Sequence, residues 1–177
     1  MSTIQFNSDI AEGNDEVRIA FYANIGFFIE IAQMLEFNLR KLLCYELSVK
    51  EIKASHITKD DVSKICSHYD DYYKDTYEER WTLGKLKKEV EKVTSLPPDF
   101  VKIIEDINNY RIALVHKAFQ NNIMTGVLAD PDNVRSYIDT RLIPMTNKAI
   151  ETNKKLIKII EPFRSDLCAY KTKVGIL

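Results

Sequence analysis

Apolar residues recur at spacings of three and four along most of this chain, the pattern of helices that each bury one face. The longest such run is Val17, Phe21, Ile25, Phe28, Ala32, Leu35, Leu39 and Leu42. With Asn14 as cap, and Asp15 and Glu16 at the positive end of the helix dipole, it predicts a helix to about Leu47 that forms the spine of the fold. From Ile25 to Ile31 the apolar residues spread over more than one face. That fits a central core helix packed on two sides, or one packed by its own domain on one side and by a second subunit on the other. Gly26 leaves room there for another helix to come close.

Further helices follow from the same spacing. Ser48 to Ser55 reads as a connection, and Thr58 with Asp61 resembles a capping box opening a helix through Val62, Ile65, Cys66, Tyr69, Tyr73 and Tyr77 to about Arg80. Thr82 caps a short helix with Leu83, Leu86, Val90 and Val93 inward and Lys85, Lys87, Lys88 and Lys92 outward. Leu96-Pro97-Pro98 breaks the chain, and the next helix runs from about Asp99 through Phe119 on Phe100, Ile103, Ile104, Ile107, Leu114 and Val115. Gln120 to Leu128 reads as a loop. Asp130-Pro131 begins the last long helix, with Pro144 expected to kink it and Pro162 to end it. Residues 1–13 form a polar flexible arm and 163–177 a short helix or tail. Only 5 Gly and 5 Pro in 177 residues, with no Asn-Gly or Asp-Gly turn, favour helix over sheet. The expected fold is all-α, an antiparallel bundle of about five helices in one domain, 1–177.

A net charge of -1 gives the molecule no general attraction for nucleic acid, so any RNA contact must be local. The N-terminus lacks a basic region and an apolar signal core, and the uncharged run from Ile19 to Ile29 is too short to span a bilayer. The expectation is a cytoplasmic protein without a membrane partner. Three cysteines, Cys44, Cys66 and Cys168, without Cys-x-x-Cys spacing, fit reduced and mostly buried thiols.

Candidate chemistry is sparse. His68 with Asp71 and Asp75, or His56 with Asp60, fails to set three mixed ligands on one helical face, so these carboxylates read as a solvated face and no metal or other cofactor is implied. Tyr69, Tyr72, Tyr73 and Tyr77 are ringed by carboxylates that would repel phosphate, which favours half-buried packing over base stacking. The stretch from Asn108 to Phe119 differs, because it sets Arg111 and His116 into an apolar helical run. A guanidinium neutralises a phosphate through a planar fork of donors, and an imidazole moves a proton near neutral pH. On a regular α-helix the two lie roughly 140° apart around the axis and about 7.5 Å apart along it, too splayed for one phosphate. Two copies related by a twofold axis would remedy this. Asn109, seven residues before His116, shares its face on such a helix and suits substrate binding, as does Lys117.

This layout resembles the HEPN superfamily: a long first helix, Leu83-Gly84-Lys85-Leu86, a proline break, Arg-x4-His at 111–116 near the end of a helix, and a closing helix. The resemblance implies a metal-independent endoribonuclease of toxin-like or defence-related type, a homodimer whose paired motifs share one cleft, with Arg111 and His116 as catalytic residues. His116 would serve as acid or base and Arg111 would stabilise phosphoryl charge during attack by an RNA 2′-hydroxyl. A protein antitoxin or regulator is the partner such systems carry. Two positions depart from the pattern: Ile112 stands where active members often have Asn, and Ala118 where members modified on tyrosine have Tyr.

A second class of function fits the same residues: a non-catalytic helical dimerisation module that binds a nucleotide, RNA or protein through Arg111 with little need for His116. A third is a structural subunit whose lysine faces, Lys85 to Lys92 and Lys148 to Lys158, meet an acidic surface.

Overall fold

A computed structural model describes residues 15–54, 72–76, 78–79, 81–117 and 123–173, and among them the chain is all-α, with six α-helices whose ends are described, a further helical stretch at 72–76, two π turns and no strand. Helix α1 spans Asp15–Ala54, α2 Leu83–Val93, α3 Pro98–Ile112, α4 Ile123–Leu128, α5 Pro131–Tyr137 and α6 Ile143–Lys173. A π turn, Ala113–Lys117, prolongs α3, and another, Ile138–Leu142, joins α5 to α6. The stretch expected as a helix from Thr58 to Arg80 lies mostly outside the described residues, although 72–76 are helical.

α1 is the wall against which the rest is built. It packs most extensively along α6 and next along α2. Phe21, Phe28, Leu35, Leu39 and Leu42 are fully buried and share one hydrophobic cluster with Leu83, Leu86 and Val90 of α2, Ile104 and Ile107 of α3, Val134 of α5 and Leu156 of α6. Each such side chain removed from water contributes about 1.5–3 kcal/mol before chain entropy is counted. One polar link crosses this interior: the Asn38 side-chain amide donates to Asn153 Oδ1 at 2.7 Å, joining α1 to α6 in a buried site.

Helix ends depart from the spacing-based expectation where tertiary contacts override local signals. α1 continues past Leu47 to Ala54 because Val49 is buried against Leu167 of α6, with Tyr45 and Tyr170 around them. Ser48, also buried, satisfies its hydroxyl on the Cys44 carbonyl at 2.8 Å, so it does not break the helix. Residues 123–128 are helical where a loop was expected, and Val127 and Leu128 dock on the core. Pro162 lies inside α6 and does not end it: its side of the helix, with Lys158 one turn back, is exposed, so the carbonyl that loses its partner faces water. Pro144 sits in the first turn of α6, where a missing N–H is tolerated, and the preceding π turn carries the irregularity. Asp130 caps α5 as its sequence suggests, accepting from the Asp132 N–H at 2.9 Å.

The opposite face of α1 is largely exposed among the described residues, with Tyr73 meeting it edge-on at Phe37. Ile19, Tyr22, Phe27, Met34 and Phe37 are 66%, 49%, 48%, 46% and 42% exposed, and a Cβ added at Gly26 would meet nothing within 4 Å. Over Glu16–Lys50 this helix is long and apolar enough to cross a membrane by length and composition, with 22% of its most apolar window buried in the bundle. The Ile19–Ile29 run understated that length because it stopped at the first charge, Glu30. The other side of the helix forms the core just described, and core helices satisfy the same measure.

Asn153→Ala removes the acceptor for the buried Asn38 amide and is expected to cost about 1–3 kcal/mol of unfolding free energy, read from urea denaturation. A change below a few tenths of a kcal/mol would show that the link is not needed.

Candidate functional site

Arg111 stands in the last turn of α3, where a cation favours the negative end of the helix dipole. Its Nη1 donates to Glu36 Oε2 on α1 at 2.9 Å. The same carboxylate oxygen accepts the Leu83 N–H at 3.2 Å, and its other oxygen lies 3.7 Å from Arg40 Nη2. Arg40 in turn donates to the Trp81 carbonyl at 3.2 Å. Glu36 therefore caps the N-terminus of α2 from another helix while pairing with the C-terminus of α3. Thr82, the expected cap, makes no side-chain cap bond. The side chains of Arg111 and Glu36 are 19% and 23% exposed, so the pair is largely out of water and each charge needs the other.

His116 is placed differently. It lies in the π turn, exposed beside Val115, which is 48% exposed. The π turn changes the expected geometry of the motif. Hydrogen bonding from i to i+5 advances each residue by less than the about 100° of an α-helix, so Arg111 and His116, five apart, swing toward each other. The same widening draws Asn109 and His116, seven apart, off their common face. Asn109 is exposed, and the side chain of Lys117 lies outside the described residues.

Asn109 lines a groove between α2 and α3 of about 430 Å³, with Thr82, Gly84, Lys85, Lys87, Lys88, Glu105 and Asn108 among its walls. Neither Arg111 nor His116 lines it. Its positive charge is partly answered: Lys85 pairs with Glu79 at 3.0 Å, and Lys87 with Glu105 at 3.5 Å and Glu91 at 3.9 Å. The basic second half of α6 is likewise engaged, through Lys148 to Asp106 at 3.0 Å and Lys154 to Glu151 at 2.8 Å. Among the described residues no three His, Cys, Asp or Glu side chains stand together as a metal site, and His56, Asp60, His68 and Asp71 lie outside them.

A tyrosine pair supports the two π turns. Tyr110, one turn before the first, donates its hydroxyl to that of Tyr137, just before the second, at 3.2 Å. Phe28 meets Tyr110 edge-on at 5.2 Å and Phe21 meets Tyr137 at 6.0 Å. Burial, followed by the hydrogen bond to and charge of Tyr137, pushes Tyr110 above its ordinary value, with Arg141 partly opposing. The hydroxyl stays a neutral donor that fixes the α3–α5 contact. Tyr73, weighed as a base-stacking platform, instead lies half-buried, edge-on to Phe37 at 6.1 Å and under Arg40 at 5.9 Å. Cys44 is buried, and desolvation pushes its thiol up to about 12, partly opposed by Arg40. Cys168 is exposed, against the expectation of burial, because α6 turns that side outward; Cys66 lies outside the described residues.

The residue that organises this region, Glu36, carries no motif. Its signal was a carboxylate set beside Leu35 with Arg40 four residues on, at the edge of the apolar stripe of α1. No family model matches the chain, and neither curated proteins nor solved structures provide a match.

Arg111→Ala leaves Glu36 with one guanidinium and one N–H in a mostly dry site, and is expected to cost about 1–3 kcal/mol in chemical denaturation, whereas His116→Ala should fall within about 0.5 kcal/mol of the parent. In native-state labelling at neutral pH, read by mass spectrometry, Cys168 should be modified well before Cys44. Equal rates would mean that Cys44 is not held in the core.

Proposed function

We propose that this chain is a non-catalytic, HEPN-like helical module that works as a homodimer and binds a nucleotide, RNA or protein partner. The observation that carries this reading is the 2.9 Å pairing of Arg111 with Glu36. A guanidinium already neutralised by a carboxylate, which also caps α2, has little charge left for a phosphoryl oxygen. Support for a module of the HEPN kind comes from the order of parts. The long α1, Leu83-Gly84-Lys85-Leu86 opening α2, the proline break, Arg-x4-His closing α3 and the long α6 follow one another as that resemblance requires. Ile112, in place of the polar residue common after the Arg, agrees with a site that no longer cleaves.

One observation favours the endoribonuclease reading: the π turn at Ala113–Lys117 narrows the angle between Arg111 and an exposed His116. A dimer in which Glu36 released Arg111 would restore the toxin-like or defence-related enzyme. Incubating the purified protein with mixed-sequence RNA in chelator separates the two. The module reading expects intact RNA, no cyclic phosphate ends, and, with Arg111 held by Glu36, binding of RNA or nucleotide that persists in both Arg111→Ala and His116→Ala. Cleavage that disappears in His116→Ala would overturn it in favour of the nuclease.

A further inference from the structure

Along α1 at about 100° per residue, Ile19, Tyr22, Gly26, Phe27, Glu30, Met34 and Phe37 fall within an arc of about 140°, opposite the buried Phe28. The stripe ends in charges of opposite sign on the same arc: exposed Glu16 at one end, and Lys41 at the other, with Lys41 Nζ 4.3 Å from the centre of the Phe37 ring. A stripe that is acidic at one end, basic at the other and, apart from Glu30 and Gln33, apolar between is complementary to its own reversed copy.

Resting on the homodimer reading above, we infer that the two copies pair through this face of α1, antiparallel about a twofold axis near Phe28. In that register Ile19 lies across from Phe37, Tyr22 from Met34, and Glu16 of one copy from Lys41 of the other. A parallel pair would set Lys41 against Lys41, Glu16 against Glu16 and Glu30 against Glu30, three like-charge layers that each weaken association. Antiparallel pairing relieves all three. The two Glu30 carboxylates are displaced by about 5 Å along the axis, and each faces Gly26 of the other copy, where the missing side chain leaves a path to water. Glu30 also argues against a lipid occupant, since a carboxylate in the middle of the stripe would sit in hydrocarbon at a cost that a protein partner with a solvated edge avoids.

The size of the contact sets its strength. From Glu16 to Lys41 the helix runs about 38 Å, and a strip about 10 Å wide buries about 400 Å² per copy. That is about half of the roughly 800 Å² per partner in a standard interface, so the dimer forms and dissociates with concentration in the micromolar range.

Sedimentation equilibrium of the full chain across that range tests the register. Phe27→Asp, on an exposed site with circular dichroism and melting temperature as controls, should leave a monomer. Lys41→Glu alone should weaken the dimer about tenfold, because symmetry disrupts two pairs at once, and Glu16→Lys with Lys41→Glu should restore it. Self-association that is abolished by Phe27→Asp, while the loss in Lys41→Glu is not restored by the double exchange, would overturn the antiparallel register while leaving the homodimer in place. A dimer untouched by Phe27→Asp would place the contact elsewhere and overturn the inference alone. A wild-type chain that stays monomeric at the highest concentration would remove both readings. If that monomer instead co-sediments with phosphatidylcholine vesicles in a Phe27-dependent way, the occupant of the face is lipid.

Discussion

A single carboxylate sets the relation among three helices of this bundle. Glu36 sits on the edge of α1, accepts the first N–H of α2 and pairs with Arg111 in the last turn of α3. Both helix ends are thereby matched to the sign of their dipoles, the anion at an N-terminus and the cation at a C-terminus. Because the pair is about four-fifths out of water, neither charge is indifferent to the loss of the other. Arg40 adds a second guanidinium on the same side and reaches the Trp81 carbonyl just ahead of α2. The Arg-His stretch is held by this junction, with the arginine turned into the bundle and the histidine left on its surface.

The same helix that carries Glu36 divides the molecule into an inside and an outside. One side of α1 gathers the aromatic and aliphatic core, together with the Asn38–Asn153 link, while Phe21 and Phe28 brace the tyrosines ahead of both π turns. The other side is mostly apolar and, among the described residues, largely exposed from Ile19 to Phe37. A helix of 40 residues with two apolar faces suits a protein that works through contact with another molecule, and the charges at the ends of the open face suit a second copy of itself.

Much of the helical order was legible in the residues. Spacing located the start of α1, the whole of α2 and the beginning of α5, where Asp130-Pro131 supplies both cap and first turn. It even marked the doubled apolar face around Ile25 to Ile31. Local signals failed where distant packing decided. Val49 and Leu167 carry α1 and α6 past a polar stretch and a proline. The junction at Glu36 was hidden because its partners lie 47 and 75 residues away in sequence. The π turn after Arg111 was hidden as well, since an α-helical wheel assumes a uniform advance per residue. The Arg-His motif was therefore found, but the directions of its side chains were not.

Arg111 serves the bundle through Glu36. A double-mutant cycle on unfolding free energy, with Arg111→Ala, Glu36→Ala and the two combined, isolates that pairing from everything else each residue does. The expected coupling is about 1–3 kcal/mol, with the double variant much less destabilised than the sum of the singles. A coupling indistinguishable from zero would contradict it and leave the Arg111 guanidinium available for another task.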